Sequence, residues 1–75
     1  MNINDFIRNF ADIFDDTPAE EFVPELPFKD LEEWSSLMAL SLMSMVEDEY
    51  NVFLDRNDIE NSCTVEDLFH TIQSK

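Results

Sequence analysis

Two consecutive serines, Ser35 and Ser36, stand immediately before a run of helix-forming residues. A serine hydroxyl at the start of a helix is well placed to carry a phosphodiester, because unpaired backbone amides and the positive end of the helix dipole favour an anion there. Serine at this position more often serves only as a cap that accepts a hydrogen bond from a backbone amide. Residue type alone therefore leaves two roles open, an attachment site and a structural cap.

Cys63 and His70 are the only cysteine and the only histidine of the chain, so they are candidates for a nucleophile and its base. Cys63 stands just before a predicted helix, whereas His70 falls about two turns later on the polar side of that helix. We therefore expect that the two side chains do not meet. A small packing role is predicted for Cys63, a solvated position for His70, and no catalytic residue.

Asp55, Asn57 and Glu60 have a spacing that resembles part of a calcium-binding loop. The EF-hand loop needs a glycine where Glu60 stands and an oxygen ligand where Ile59 stands. We therefore predict no dedicated metal site. Loose binding of divalent cations to the acidic surface is expected to stabilise the protein, because a net charge of -14 on so short a chain is self-repulsive.

The charge composition restricts the class of partner. The 75 residues include 18 acidic and four basic side chains. Nucleic acids and anionic lipids are bound through clustered Lys and Arg, so neither is expected as a partner. Basic protein surfaces are the natural complement of such a chain.

Length and cysteine content predict a small intracellular domain. Hydrophobic residues make up 44% of the chain, including seven Phe, which predicts a folded domain over residues 1–75 with a radius of gyration of about 11 Å. One cysteine cannot form an internal disulfide or a multi-cysteine zinc site, which favours a reducing compartment. The first residues do not resemble a signal peptide, and no apolar run has the length of a membrane span. We expect a cytoplasmic monomer that does not insert into membranes.

Hydrophobic periodicity predicts an amphipathic first helix over residues 3–14, with Asn4 as its cap and Asp5 in its first turn. Residues 15–33 lack this periodicity, and Pro18, Pro24 and Pro27 predict a long loop there. The loop is too apolar for a free linker, so we expect it to pack across the helices. Its apolar residues are Phe22, Val23, Leu26, Phe28 and Leu31.

Three further helices complete the prediction. The second runs over residues 36–50 with Ser35 or Ser36 as its cap, a short one follows over residues 56–61 anchored by Ile59, and Thr64 opens the last. Thr64 and Asp67 have the spacing of a capping box. The predicted fold is therefore all-α, a small four-helix bundle of three main helices and one short helix, with a long loop between the first two helices.

The second helix is predicted to have two unlike faces. Its wide apolar face is expected to contact several neighbours, and its three methionines there favour either plain core or a surface that adapts to a guest. The opposite side mixes leucines with carboxylates, as protein-binding surfaces often do. The apolar face comprises Met38, Ala39, Leu42, Met43, Met45, Val46 and Tyr50, and the mixed side comprises Leu37, Leu40, Ser41, Ser44, Glu47 and Asp48.

Over most of its length the chain resembles the acyl carrier proteins. The family's order is an amphipathic helix, a long loop, a serine-leucine pair at the start of the second helix, and an acidic stretch with an aromatic residue at that helix's end. The segments that carry the resemblance are Leu31-Glu32-Glu33-Trp34-Ser35-Ser36-Leu37, Glu47-Asp48-Glu49-Tyr50-Asn51-Val52, Asp58-Ile59 and Thr64-Val65-Glu66-Asp67-Leu68.

The resemblance implies that Ser36 carries 4'-phosphopantetheine, transferred from coenzyme A by a separate phosphopantetheinyl transferase. Acyl groups would then travel as thioesters on the arm, in fatty-acid or in specialised lipid or polyketide biosynthesis. The implied partners are that transferase and acyl-transferring and synthase enzymes with basic docking surfaces. The docking residues would be Leu37 and Leu40, which contribute apolar area, and Glu47 and Asp48, which contribute orientation.

One departure from the family keeps alternatives open. The family's Asp before the modified serine is Ser35 here, so a recognition charge is missing and two adjacent hydroxyls compete for attachment. The register of Leu37 favours Ser36. The weakened motif also fits an unmodified carrier-like domain that binds proteins through its acidic surface. A helical regulator without carrier ancestry would explain the charge but not the ordered match.

Overall fold

The computed structural model describes residues 2–75, so Met1 of the predicted domain lies outside it. Within these residues the chain forms four α-helices and no β-strand. The helices are α1 (Ile3–Asp12), α2 (Ser36–Tyr50), α3 (Arg56–Glu60) and α4 (Val65–Gln73), and two 3₁₀ turns (Ala19–Glu21 and Phe28–Asp30) lie in the loop between α1 and α2. The predicted all-α fold of three main helices, one short helix and a long loop is confirmed.

The cap of helix α1 lies two residues before the predicted one. The side chain of Asn2, not Asn4, caps it by accepting a hydrogen bond of 2.8 Å from the Asn4 backbone amide. Asn2 has the extended backbone that a cap requires, whereas Asn4 is already helical. At the other end, Phe14 leaves the helix but remains buried. The apolar periodicity therefore continues past the helix because the turn after it still faces the core.

The core is built on phenylalanine. Phe10 is fully buried on α1, and its ring centroid lies 5.3 to 5.9 Å from those of four other phenylalanines, distances typical of favourable aromatic pairs. These four are Phe6, Phe14, Phe22 and Phe28. Phe14, Phe22 and Phe28 lie in the loop between α1 and α2, so the loop supplies part of the core. The aromatic centre therefore joins α1 to the segment that leads into α2.

The long loop packs against the helices as predicted. Two of its carbonyls accept the first free amides of α4, Leu26 from Val65 at 3.1 Å and Pro24 from Glu66 at 2.9 Å. These are amides that have no partner inside the helix, so the loop satisfies groups that would otherwise need water. The prediction was wrong for Val23, which is 44% exposed.

The ends of α2, α3 and α4 are fixed by short-range polar contacts. Asn51 ends α2 with a left-handed backbone (φ 55°), a conformation that asparagine tolerates and that glycine would usually supply, but the chain contains no glycine. Asp55 with Asp58 forms a capping box at the start of α3, and Thr64 with Asp67 forms the predicted one at α4. Ile59 anchors α3 in the core as expected, with 4% of its surface exposed.

The radius of gyration is 11.0 Å, the size expected of a folded chain of this length. None of the helices described for residues 2–75 has the length and apolar character needed to cross a membrane.

Candidate functional site

The two consecutive serines have different environments at the start of α2. Ser35 is the cap: its backbone is extended (φ -159°, ψ 174°) and its hydroxyl accepts a hydrogen bond of 3.3 Å from the Met38 amide. Ser36 is the first residue of the helix, its side chain is exposed, and its hydroxyl makes no hydrogen bond within residues 2–75. Ser35 therefore supplies the cap of α2, whereas Ser36 presents an exposed side chain at the first helical residue.

The segment before the serines is held by the carboxylate of Glu33. This side chain accepts hydrogen bonds from the backbone amides of Asp15 at 2.8 Å, Asp16 at 3.1 Å and Thr17 at 2.9 Å. The Thr17 hydroxyl donates a further bond of 2.7 Å. That hydroxyl bond and the three amides lower the pKa of Glu33, and together they outweigh the opposing effect of desolvation. These bonds connect the start of the loop after α1 to a residue three positions before Ser36.

Trp34 fixes the same segment from the apolar side. Its ring meets that of the fully buried Phe28 edge to face, with centroids 5.0 Å apart, and its amide donates to the Leu31 carbonyl at 3.1 Å. The two residues before the serine pair are therefore fixed in different ways, Glu33 by hydrogen bonds and Trp34 by packing on Phe28.

An open pocket of about 280 Å³ lies beside Ser36. Its lining includes apolar residues, among them Met43 of α2 and Ile59 of α3, and three charged residues. The lining residues are Lys29, Trp34, Ser35, Ser36, Ala39, Met43, Arg56, Ile59 and Glu60.

The predicted docking residues of α2 all face solvent. Leu37 is 71% exposed and Leu40 is 55% exposed, and both Glu47 and Asp48 are exposed on the same helix. Such leucines are available to a partner because they contribute little to the core of this chain. Leu42 and Val46 on the opposite side are fully buried.

Phe53 is a further exposed apolar residue, and it was not among the predicted docking residues. It is 70% exposed, whereas its neighbours Val52 and Leu54 are half-buried and fully buried. The signal was present in the sequence, because an extended segment that turns Val52 and Leu54 inward must turn Phe53 outward.

The three methionines of α2 are neither fully buried nor exposed. Met38, Met43 and Met45 are half-buried and pack against the edge of the core, and Met43 also lines the pocket. Their positions are therefore compatible both with plain core packing and with a surface that adapts to a guest.

Cys63 does not pack in the core, so that prediction was wrong. Its side chain is exposed, and its backbone amide, just before the cap of α4, donates to the Asp67 carboxylate at 3.0 Å. Ser62 is buried instead, with its hydroxyl donating to the Asp58 carbonyl at 2.9 Å. His70 is exposed, as predicted.

The carboxylates around α3 and α4 serve as structural caps. Partial burial raises the pKa of Asp58, but hydrogen bonds from the Asp55 amide and the ion pair with Lys75 at 3.0 Å outweigh it and leave the pKa lowered. The amides of Cys63 and Thr64 lower the pKa of Asp67. Within residues 2–75 no group of three or more His, Cys, Asp or Glu side chains is arranged to hold a metal ion.

Comparisons of the chain with protein families, with curated proteins and with solved structures found no match.

Proposed function

We propose that the protein is an acyl carrier protein that bears 4'-phosphopantetheine on Ser36. The observation that carries the proposal is the division of roles between two adjacent serines, in which Ser35 caps α2 and Ser36 presents an unbonded, exposed hydroxyl at the first helical residue. The resemblance of the segments around α2, α3 and α4 to the carrier family supports the same residue.

Attachment of the arm is a phosphoryl transfer in which a separate transferase supplies the catalysis. The Ser36 oxygen attacks the phosphorus of coenzyme A that bears pantetheine, and the bond from that phosphorus to the bridging oxygen of the diphosphate breaks. Adenosine 3',5'-bisphosphate leaves, and the hydroxyl proton passes to a base of the transferase. The carrier contributes an accessible nucleophile and the positive end of α2, which favours the anionic product.

Cargo is carried on the terminal thiol of the arm. An acyl group exchanged onto this thiol forms a thioester, and tethering raises its effective concentration at each enzyme that binds the carrier. Apolar residues, among them Met43 and Ile59, line part of the wall of the pocket beside Ser36. A methionine in such a wall suits guests of different shape, because its unbranched side chain adapts to them.

Recognition by partner enzymes uses the exposed side of α2. Leu37 and Leu40 offer apolar area close to the reactive hydroxyl, and Glu47 and Asp48 place negative charge near the other end of the helix. A partner with an apolar depression bordered by basic side chains complements this arrangement. Complementary charge mainly accelerates and orients the encounter, while the apolar contacts contribute affinity.

The proposal is tested by intact-mass measurement after incubation with coenzyme A, magnesium and a transferase of broad specificity. We expect one phosphopantetheine group on the wild-type chain and on Ser35→Thr, which retains a capping hydroxyl. We expect none on Ser36→Ala. An unmodified wild type with several transferases, including the cognate one, would contradict the proposal and favour an unmodified domain that binds proteins through its acidic surface.

A further inference from the structure

The few basic residues of this acidic chain are unevenly distributed. Of the four, Arg8 pairs with Asp5 at 2.7 Å and Lys75 pairs with Asp58 at 3.0 Å. The other two, Lys29 and Arg56, both line the pocket that contains Ser36. Half of the chain's basic side chains therefore border one small opening beside the reactive hydroxyl.

Lys29 is positioned by contacts that leave its charge unneutralised. Its ammonium donates to the backbone carbonyl of Glu60 at 3.0 Å and lies 5.9 Å from the centroid of the Phe28 ring. A carbonyl and a ring face orient an ammonium group without the full charge of a carboxylate. Lys29 is therefore held at the pocket wall as a cation.

Arg56 approaches the pocket from the first residue of α3. Its guanidinium forms no hydrogen bond and no ion pair within residues 2–75, although it offers five donors. Among the residues that line the pocket, two are basic and one, Glu60, is acidic. The local balance is thus opposite in sign to that of the whole chain.

We propose that Lys29 and Arg56 form a phosphate clamp that holds the phosphodiester of the arm against the pocket beside Ser36. The proposal rests on the proposed attachment at Ser36. A phosphodiester carries one negative charge, and it would otherwise be repelled by a surface with 18 carboxylates. Guanidinium and ammonium groups are the side chains best suited to bind phosphate oxygens.

Serine at position 35 also suits the phosphate clamp, because its side chain carries no negative charge. Ser35 lines the same pocket, so the aspartate usual in the family would place another carboxylate beside Lys29 and Arg56. A serine caps the helix without that charge. The departure from the family motif thus keeps the pocket positive, and it favours a resting state in which the arm lies along the pocket.

The test uses ³¹P NMR of the phosphodiester in the holo protein over a series of NaCl concentrations. In the wild type, added salt screens the two cations, so we expect the phosphorus resonance to move. In the double variant Lys29→Gln with Arg56→Gln, the phosphorus resonance at low salt should lie near the position that the wild type reaches at high salt. Added NaCl should then move it little. The exchange Lys29→Arg with Arg56→Lys keeps both charges and should retain the wild-type response.

A matched control removes two positive charges elsewhere, through Arg8→Gln with Lys75→Gln. This control should behave as the wild type does, because neither residue lines the pocket. A double Gln variant at Lys29 and Arg56 with the wild-type resonance and salt response would overturn the phosphate clamp while leaving the carrier function standing. A wild type that gains no arm in the mass measurement would instead contradict the carrier function.

Discussion

Thr17 donates two hydrogen bonds to the same carboxylate oxygen of Glu33, one from its backbone amide at 2.9 Å and one from its hydroxyl at 2.7 Å. The amides of Asp15 and Asp16 donate to the same side chain. A carboxylate that accepts several hydrogen bonds is favoured in its charged form. The contact joins the start of the loop after α1 to the segment before Ser36.

Replacement of Glu33 by Gln is expected to lower the melting temperature most at neutral pH. The pKa of Glu33 is lower in the folded protein than its ordinary value of 4.5, so its stabilisation is fully present above that value. The stabilisation is lost as the pH falls through 4.5 towards the folded pKa. The difference in melting temperature between wild type and Glu33→Gln should therefore shrink under acidic conditions.

Glu32→Gln is the matched control for this experiment. Glu32 is the exposed neighbour of Glu33 and makes no hydrogen bond within residues 2–75, and its replacement removes the same charge. Differential scanning calorimetry of the three proteins over a pH series makes the comparison. If Glu33→Gln lowers the melting temperature no more than Glu32→Gln does, or by an amount that does not change with pH, the Glu33 carboxylate does not stabilise the fold as proposed.

Ser35→Asp is expected to accelerate modification of Ser36 by a transferase that docks through basic residues. The change restores the charge that the carrier family has at this position, and complementary charge mainly raises the association rate, here by roughly several-fold at low salt. Ser35→Asn is the control, since it caps a helix comparably and adds no charge. Initial rates of arm transfer provide the measurement. Equal rates for the two variants would rule out a charge effect at this position.

Truncation of Leu37 or Leu40 to Ala should impair partner binding and leave the fold intact. Both residues are more than half exposed, so each change should alter the free energy of unfolding by less than about 0.5 kcal/mol. Leu42→Ala on the buried side should cost about 2 to 5 kcal/mol. Urea unfolding and the KM of the transferase for each variant separate the two effects. Unchanged KM values for Leu37→Ala and Leu40→Ala would show that this side of α2 does not dock.

Thermal stability should rise when NaCl or magnesium is added to a solution of very low ionic strength. The net charge of -14 is spread over a body whose longest extent is 29 Å, and the Debye length falls to about 8 Å at physiological ionic strength. Screening therefore weakens repulsion between carboxylates across the molecule. A melting temperature that does not change from very low to moderate ionic strength would contradict the prediction.

The helices could be predicted because their signals are local. The Thr64–Asp67 capping box and the apolar arc of α4 lie within one short stretch, and the bounds of α2 follow from serine at one end and Asn51 at the other. The cap of α1 was misplaced by two residues because Asn2 and Asn4 are the same residue type, and only backbone conformation distinguishes a cap from a helical residue.

Long-range contacts explain what the sequence could not predict. The bonds from Asp15, Asp16 and Thr17 to Glu33 join residues 16 to 18 positions apart, and the approach of Lys29 and Arg56 to one pocket depends on how the loop packs against α3. Neither contact produces a periodic pattern in the sequence from which it could be predicted. The exposure of Cys63 was also unpredictable from residue type, since a free cysteine is more often buried.

The most direct test of the central claim is to locate the arm within the chain. Trypsin cleaves after Lys29 and Arg56, so both serines of the pair fall in one fragment spanning residues 30–56. Tandem mass spectrometry of this fragment, taken from protein modified by the cognate transferase, determines which hydroxyl bears phosphopantetheine. We predict that the entire added mass lies on Ser36. Its presence on Ser35, or an unmodified fragment, would contradict the assignment of Ser36 as the attachment site.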